Sequence, residues 1–339
     1  MTNPLSRLLE ARGCLLLDGA TGTNLFAMGL MSGDAPELWN LEAPEKIRAL
    51  HDGFVAAGSD LILTNSFGGS AYRLKLHDAQ DRVFALNKAA AEIARASADA
   101  AGRPVVVAGS LGPTGEILEP VGSLSHGEAV AAFEEQIEGL IAGGADVIWA
   151  ETLSSEEELR AAAEAAANKA VPFCATLSFD TAGRTMMGVT SHAYAQLAPG
   201  LATAPIAIGA NCGTGAPDLL RTVLGLTEAA PDRIVIAKAN AGIPKYVDGQ
   251  IEYDGTPELM AEYVRLAMDA GARLIGGCCG TTYRHVAAMR AAMDSHSAGE
   301  RPSLEDIRMR IGDFSSSSDG TEPETEGAAR RPRRSRRRG

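Results

Sequence analysis

Apolar, β-rich runs alternate with alanine-rich, helix-patterned stretches about eight times along this 339-residue chain, and few architectures accommodate so many strand–helix units in one pass. The candidate strands are 14–18, 60–67, 105–110, 146–152, 172–179, 206–212, 233–239 and 273–278. Runs such as Val105-Val106-Val107-Ala108 are apolar at every position, as strands are when a parallel sheet is covered on both faces. Helical patterns fill the gaps, for example at 128–143 and 156–169. Thr256-Pro257-Glu258 opens another with a capping hydroxyl, proline at the first helical position and an acid in the first turn. Gly58, Gly144 and Gly271 are predicted helix stops just ahead of the next strand. Such a series predicts an α/β chain folded as a (β/α)₈ (TIM) barrel, whose chemistry sits at the C-terminal ends of the strands. A doubly wound sheet is the alternative, but no Gly-x-Gly-x-x-Gly opens the first unit.

Two of those strand ends carry cysteine. Ala207-Ile208-Gly209-Ala210-Asn211-Cys212-Gly213 closes the sixth strand, and Ile275-Gly276-Gly277-Cys278-Cys279-Gly280-Thr281 closes the eighth. Neighbouring side chains on a strand point to opposite faces, so Cys278 and Cys279 can reach one point only where the backbone turns, and the flanking glycines permit that turn. Three thiolates on one rim would bind Zn²⁺ at about 2.3 Å each and leave the fourth tetrahedral position open, as in a working zinc site. Cys14 and Cys174 lie in apolar runs and read as small packing residues.

The other strand ends bear Asp18-Gly19-Ala20-Thr21-Gly22-Thr23, Thr64-Asn65-Ser66-Phe67-Gly68, Gly109-Ser110-Leu111-Gly112-Pro113-Thr114-Gly115 and Glu151-Thr152. Asp18 and Glu151 stand at the tips of apolar strands, where an unpaired carboxylate is costly, so a cationic partner is implied. The Asp18–Thr23 loop lacks the lysine of a phosphate-binding loop, and its acid disfavours an anion. A long insertion at 30–42 follows the first strand and is expected to cover the mouth, with Trp39 able to present its ring to a cationic methyl group or to anchor the loop.

The formal charge of −12 divides into a +3 tail at 315–339 and a body of −15, which argues against nucleic acid as the partner of the barrel. Residues 1–298 are expected to form the barrel, 299–314 a helical extension, and 315–339 a disordered tail, serine-rich and acidic and then arginine-rich. No apolar run approaches the roughly 20 residues that cross a bilayer, and the N-terminus lacks the form of a signal peptide. Five cysteines suit a reducing cytoplasm. Oligomeric state is left open, a homo-oligomer included, as is any partner of the tail.

These motifs resemble the homocysteine S-methyltransferase family over roughly residues 10–295. The shared elements are Asp-Gly-Ala-Thr-Gly-Thr, Thr-Asn-Ser-Phe, Gly-Pro-Thr-Gly, Glu151, Gly-Ala-Asn-Cys-Gly and Gly-Gly-Cys-Cys-Gly-Thr. The resemblance implies a zinc barrel with Cys212, Cys278 and Cys279 as ligands. Asp18, Gly19 and Glu151 would surround the amino-acid end of L-homocysteine. Trp39 looks like the tryptophan that faces the trimethylammonium of betaine, and Asp34-Ala35-Pro36-Glu37-Leu38-Trp39-Asn40 resembles bacterial betaine-dependent members. Gly68 and Thr152 stand where animal betaine enzymes carry an aromatic residue and a tyrosine.

The implied reaction is zinc-dependent methyl transfer from glycine betaine to the homocysteine thiolate, giving dimethylglycine and methionine. Zinc lowers the thiol pKa and the electron-rich site keeps the sulfur nucleophilic, so the protein's main task is to position the two reactants and no side chain need act as an acid or base. The alternatives are S-methylmethionine, another sulfonium or methylcobalamin as donor. A non-enzymatic zinc scaffold that binds a partner through its arginine-rich tail is the reading from another class.

Overall fold

The computed structural model describes residues 3–247 and 250–320. Its strands, in chain order, are β1 (Leu15–Leu16), β2 (Leu61–Leu63), β3 (Val106–Leu111), β4 (Val147–Leu153), β5 (Phe173–Leu177), β6 (Ala207–Cys212), β7 (Ile234–Ala239), β8 (Pro244–Val247), β9 (Gln250–Tyr253) and β10 (Ala272–Gly277). Eight of them form one parallel sheet in the order β1-β10-β7-β6-β5-β4-β3-β2. A parallel bridge from Leu17 to Leu61 brings the two ends together, giving the expected (β/α)₈ barrel. The strands β8 and β9 form a separate antiparallel hairpin after β7, which the apolar pattern did not announce.

Side-chain alternation sorts the residues into two cores. Leu15, Leu17, Leu61, Leu63, Val106, Ala108, Val147 and Trp149 fill the barrel interior. Their neighbours Leu16, Ile62, Val107, Ile148 and Ala150 face outward into the helix layer. Continuous apolarity along each strand follows from this double burial.

The helices begin and end as their sequences dictate. Helix Pro257–Asp269 has the Thr256 side chain accepting from the Leu259 N–H and proline in its first turn. Gly58, Gly144 and Gly271 take φ of 106°, 96° and 94°, the left-handed conformation that stops each helix.

The short helix Pro4–Arg12 was not legible in the strand–helix count. Asn3 caps it, and Leu5, Leu8 and Leu9 plug the N-terminal end of the barrel, each contributing about 1.5–3 kcal/mol of burial. Beside this plug Asp60 is wholly buried, accepts the Leu16 N–H at 3.0 Å, and pairs with Arg12, Arg103 and Arg290. It thereby ties β1 to β2 at the closure of the ring.

At the other end of the chain, Leu304–Ile311 forms a helix capped by Ser303. Ser315 and Ser316, which open the predicted tail, are docked: the Ser315 N–H donates to Asp218 at 3.0 Å and Arg221 donates to the Ser316 carbonyl at 2.8 Å. Residues 321–339, with the arginine run, lie outside the described residues. Among the described residues no helix is long and apolar enough to cross a membrane.

Candidate metal centre and substrate pocket

The inward alternation that makes the barrel floor apolar continues upward into polar residues. β3 runs from Val106 and Ala108 to Ser110, and β4 from Val147 and Trp149 to Glu151. β6 runs from Ala207 to Asn211, β7 from Ile236 to Lys238, and β10 from Leu274 toward Cys278. The C-terminal rim is therefore a polar chamber on an apolar floor.

Register gathers the cysteines. Ala239 at the end of β7 pairs with Cys212 on one side and Gly277 on the other, and its carbonyl accepts the Cys278 N–H at 2.7 Å. Cys212 is one residue out of the inward alternation, and its backbone takes φ 61°. That left-handed conformation is uncommon for a residue with a Cβ, costing about 1–3 kcal/mol, and it lets the strand turn at the sulfur. The Sγ atoms of Cys212, Cys278 and Cys279 all lie within 4.8 Å of one another, and Cys212 and Cys279 are 4.0 Å apart. A tetrahedral metal holding thiolates at about 2.3 Å spaces its sulfurs about 3.8 Å apart, so this set fits one metal ion.

Hydrogen bonds orient the sulfurs. Asn211 Nδ2 donates to Cys278 Sγ at 3.8 Å and Asn240 Nδ2 to Cys212 Sγ at 3.7 Å, while Asn240 Oδ1 accepts the Cys279 N–H at 3.0 Å. Asn211 is held in turn by Thr176 and by both the N–H and the hydroxyl of Thr152, itself at φ 63°. Partners of this kind fix ligand geometry around a metal. Hydrogen bonding within the trio pulls Cys212 down to about 3, chiefly through Cys278, and pushes Cys278 up to about 11, chiefly through Cys212. Cys279 is also pushed up, first by its bond to Cys212. Cys14 and Cys174 are outside the trio, and burial pushes each up to about 12.

Below the sulfurs lies the implied cation. Lys238, 3% exposed, donates to Asp18 Oδ1 at 3.0 Å, and Asp18 Oδ2 accepts the Leu63 N–H at 2.7 Å. Glu151 accepts from the Ser110 hydroxyl at 2.5 Å, and burial raises its pKa from 4.5 to about 7 against the opposing pull of Lys238. Gly19 must lack a side chain, because a Cβ there would stand 2.7 Å from both Thr281 Oγ1 and the Phe54 ring. The first-strand loop can thus lie directly against the Cys278–Thr281 turn, where the Ala20 N–H donates to Thr281 Oγ1 at 3.0 Å.

Comparison with known proteins gives this chamber its context. The family model described as homocysteine S-methyltransferase matches residues 15–293. The chain belongs to the homocysteine S-methyltransferase family. Among solved structures it is similar to the Escherichia coli homocysteine methyltransferase MmuM in its metallated form, at 28% identity and a TM-score of 0.71, over 85% of this chain and 99% of that one. The apo form of the same enzyme matches at 28% identity and a TM-score of 0.65, over 86% of this chain and 100% of that one.

Trp39 opens the short helix Trp39–Glu42 in the insertion after the first strand. Its ring lies under Lys46 Nζ, 4.1 Å from the centroid, and packs against the outer core. One aromatic face is therefore already occupied by a cation of the chain itself. The neighbouring Glu37 carboxylate accepts the Gly68 N–H at 2.6 Å, and a Cβ at residue 68 would stand 3.0 Å from it. An acid thus stands beside the glycine where an aromatic was missed, and Thr152 in place of tyrosine locks Asn211.

Lys238 was overlooked because its strand reads as apolar, yet a lysine inside Ile234-Val235-Ile236-Ala237-Lys238-Ala239 is itself the signal of a buried charge partner. No local pattern marks Asn240, whose role depends on cysteines from two other segments.

The raised pKa of Glu151 has a measurable consequence in the metal-free protein. A carboxyl lifted from 4.5 to about 7 on folding contributes stability that is complete below the unfolded value and lost as pH rises through 7. The loss amounts to roughly 3 kcal/mol. Glu151→Gln removes the titration, so its stability relative to wild type should improve by about 2–3 kcal/mol between pH 5 and pH 8 in urea unfolding. An unchanged difference between the two pH values would show that Glu151 does not titrate there.

Proposed function

We propose that this chain transfers a methyl group from a cationic donor to the sulfur of L-homocysteine, forming methionine, with zinc held by Cys212, Cys278 and Cys279. The observation that carries the reading is the placement of three mutually close sulfurs directly above the buried Asp18, Glu151 and Lys238. Zinc bound there would accept the homocysteine sulfur at its fourth position and keep it ionised at neutral pH.

The remaining work belongs to the chain. Asp18, Gly19 and Glu151 receive the amino-acid end of homocysteine: the carboxylates suit its ammonium group, and Gly19 leaves room beside the turn. Lys238 favours the ionised form of Asp18 against the effect of burial. A methyl group leaving a positively charged nitrogen or sulfur departs from a neutral product, so the protein need supply orientation and exclusion of water rather than a proton. Free thiols at the centre suit a reducing cytoplasm.

Glycine betaine is the donor supported by the Asp34–Asn40 run, with dimethylglycine as the second product. A sulfonium such as S-methylmethionine is the second reading, favoured by Lys46 lying over Trp39, which leaves less aromatic surface for a trimethylammonium group. Methylcobalamin as donor would come with a partner protein. Zinc-loaded protein should be assayed with L-homocysteine and each donor separately. Betaine is expected to yield methionine and dimethylglycine. Methionine from a sulfonium alone transfers the assignment to the second reading, and no methionine from any donor overturns the function.

A further inference from the structure

Two of the three sulfurs receive amide donors, Cys278 from Asn211 and Cys212 from Asn240. The third, Cys279, has a neighbour from a segment outside the barrel strands. Tyr253 ends β9 of the hairpin that follows β7, and burial and then the nearby Cys279 push its hydroxyl pKa up. Its position is fixed by the backbone of the cysteine turn. Gly280, next to Cys279, takes φ 79°, and a Cβ there would lie 2.4 Å from Tyr253 Cγ and 2.5 Å from its Cβ. Tyr253 is therefore seated on the backbone of the cysteine turn, in space that any other residue at 280 would fill.

We infer that Tyr253 is a positioning residue of the metal centre, its hydroxyl holding the Cys279 sulfur and its seat on Gly280 joining the hairpin to the ligand turn. The inference rests on the proposed zinc site and deepens it. Each sulfur then has one donor of its own, and each donor comes from a different segment. An O–H donor on a thiolate restrains its rotamer and withdraws electron density from it, and partners of this kind are worth about 10–100-fold in metal affinity.

Tyr253→Phe tests this in the full-length chain, because it keeps the ring and removes only the hydroxyl. Competition against a chromophoric chelator should show zinc held about tenfold more weakly. In the cobalt(II)-substituted protein the thiolate-to-metal charge-transfer band should move to lower energy, since the sulfur lone pair is no longer stabilised by the O–H donor. Tyr253→Ala, which also empties the seat on Gly280, should weaken zinc at least as much. Wild-type zinc affinity and an unmoved cobalt band in Y253F overturn the inference, whatever Y253A does. If the wild-type chain itself binds no zinc, the proposed function fails along with it, whereas failure of Y253F alone leaves the proposed function standing.

Discussion

Replacement of any one of Cys212, Cys278 and Cys279 by alanine is expected to reduce bound zinc from about one per chain to nearly none. The reason is geometric: the three Sγ atoms lie within 4.8 Å of one another, and the chamber offers no fourth cysteine to take a vacated place. Methyl transfer to homocysteine should fall with the metal by roughly a thousandfold, corresponding to several kcal/mol of lost stabilisation at the reacting sulfur. Cys14→Ala and Cys174→Ala serve as controls, because both sulfurs sit in the packed walls and neither belongs to the trio. Metal analysis of the purified variants checks this. Zinc retained in the Cys278→Ala/Cys279→Ala double variant would refute the assignment.

Lys238→Met should be the most damaging single change to stability in the chamber. It leaves Asp18 and Glu151 buried with no cation between them, and stranding one member of a buried ion pair costs about 3–5 kcal/mol. Burial already raises Asp18, and Lys238 is the strongest influence opposing that rise. Without the lysine Asp18 will protonate more readily, so the loss should be smaller at pH 5 than at pH 8. Adding Asp18→Asn to Lys238→Met removes the stranded charge and should recover much of the stability. Urea unfolding of the zinc-free variants at both pH values reads all of this. A loss below about 1 kcal/mol at pH 8 would mean that the pair is not desolvated as described.

These expectations also mark what could be read before the fold was known. The barrel was legible because burial on both faces leaves uninterrupted apolar strands, and because Thr256, Gly58, Gly144 and Gly271 punctuate the helices by local chemistry alone. The cysteines were legible because a strand end in a barrel has a known position, so residues 212 and 278 share a rim although they stand 66 positions apart. Lys238 was harder, since its pairing with Asp18 spans 220 residues and depends on β10 lying between β1 and β7. At Trp39 the resemblance supplied a residue type, but the surroundings of its ring depend on Lys46 in the next helix, and no motif encodes that. Tyr253 was hidden for a related reason: its significance comes from the bare backbone of Gly280, 27 residues further along.

The central claim is that the three-cysteine centre takes the homocysteine sulfur directly. Zinc K-edge X-ray absorption, recorded on the loaded protein before and after addition of L-homocysteine, tests it most directly. The account predicts a shell of three sulfurs at about 2.3 Å that becomes four when homocysteine binds. A sulfur count that stays at three with homocysteine bound would contradict it.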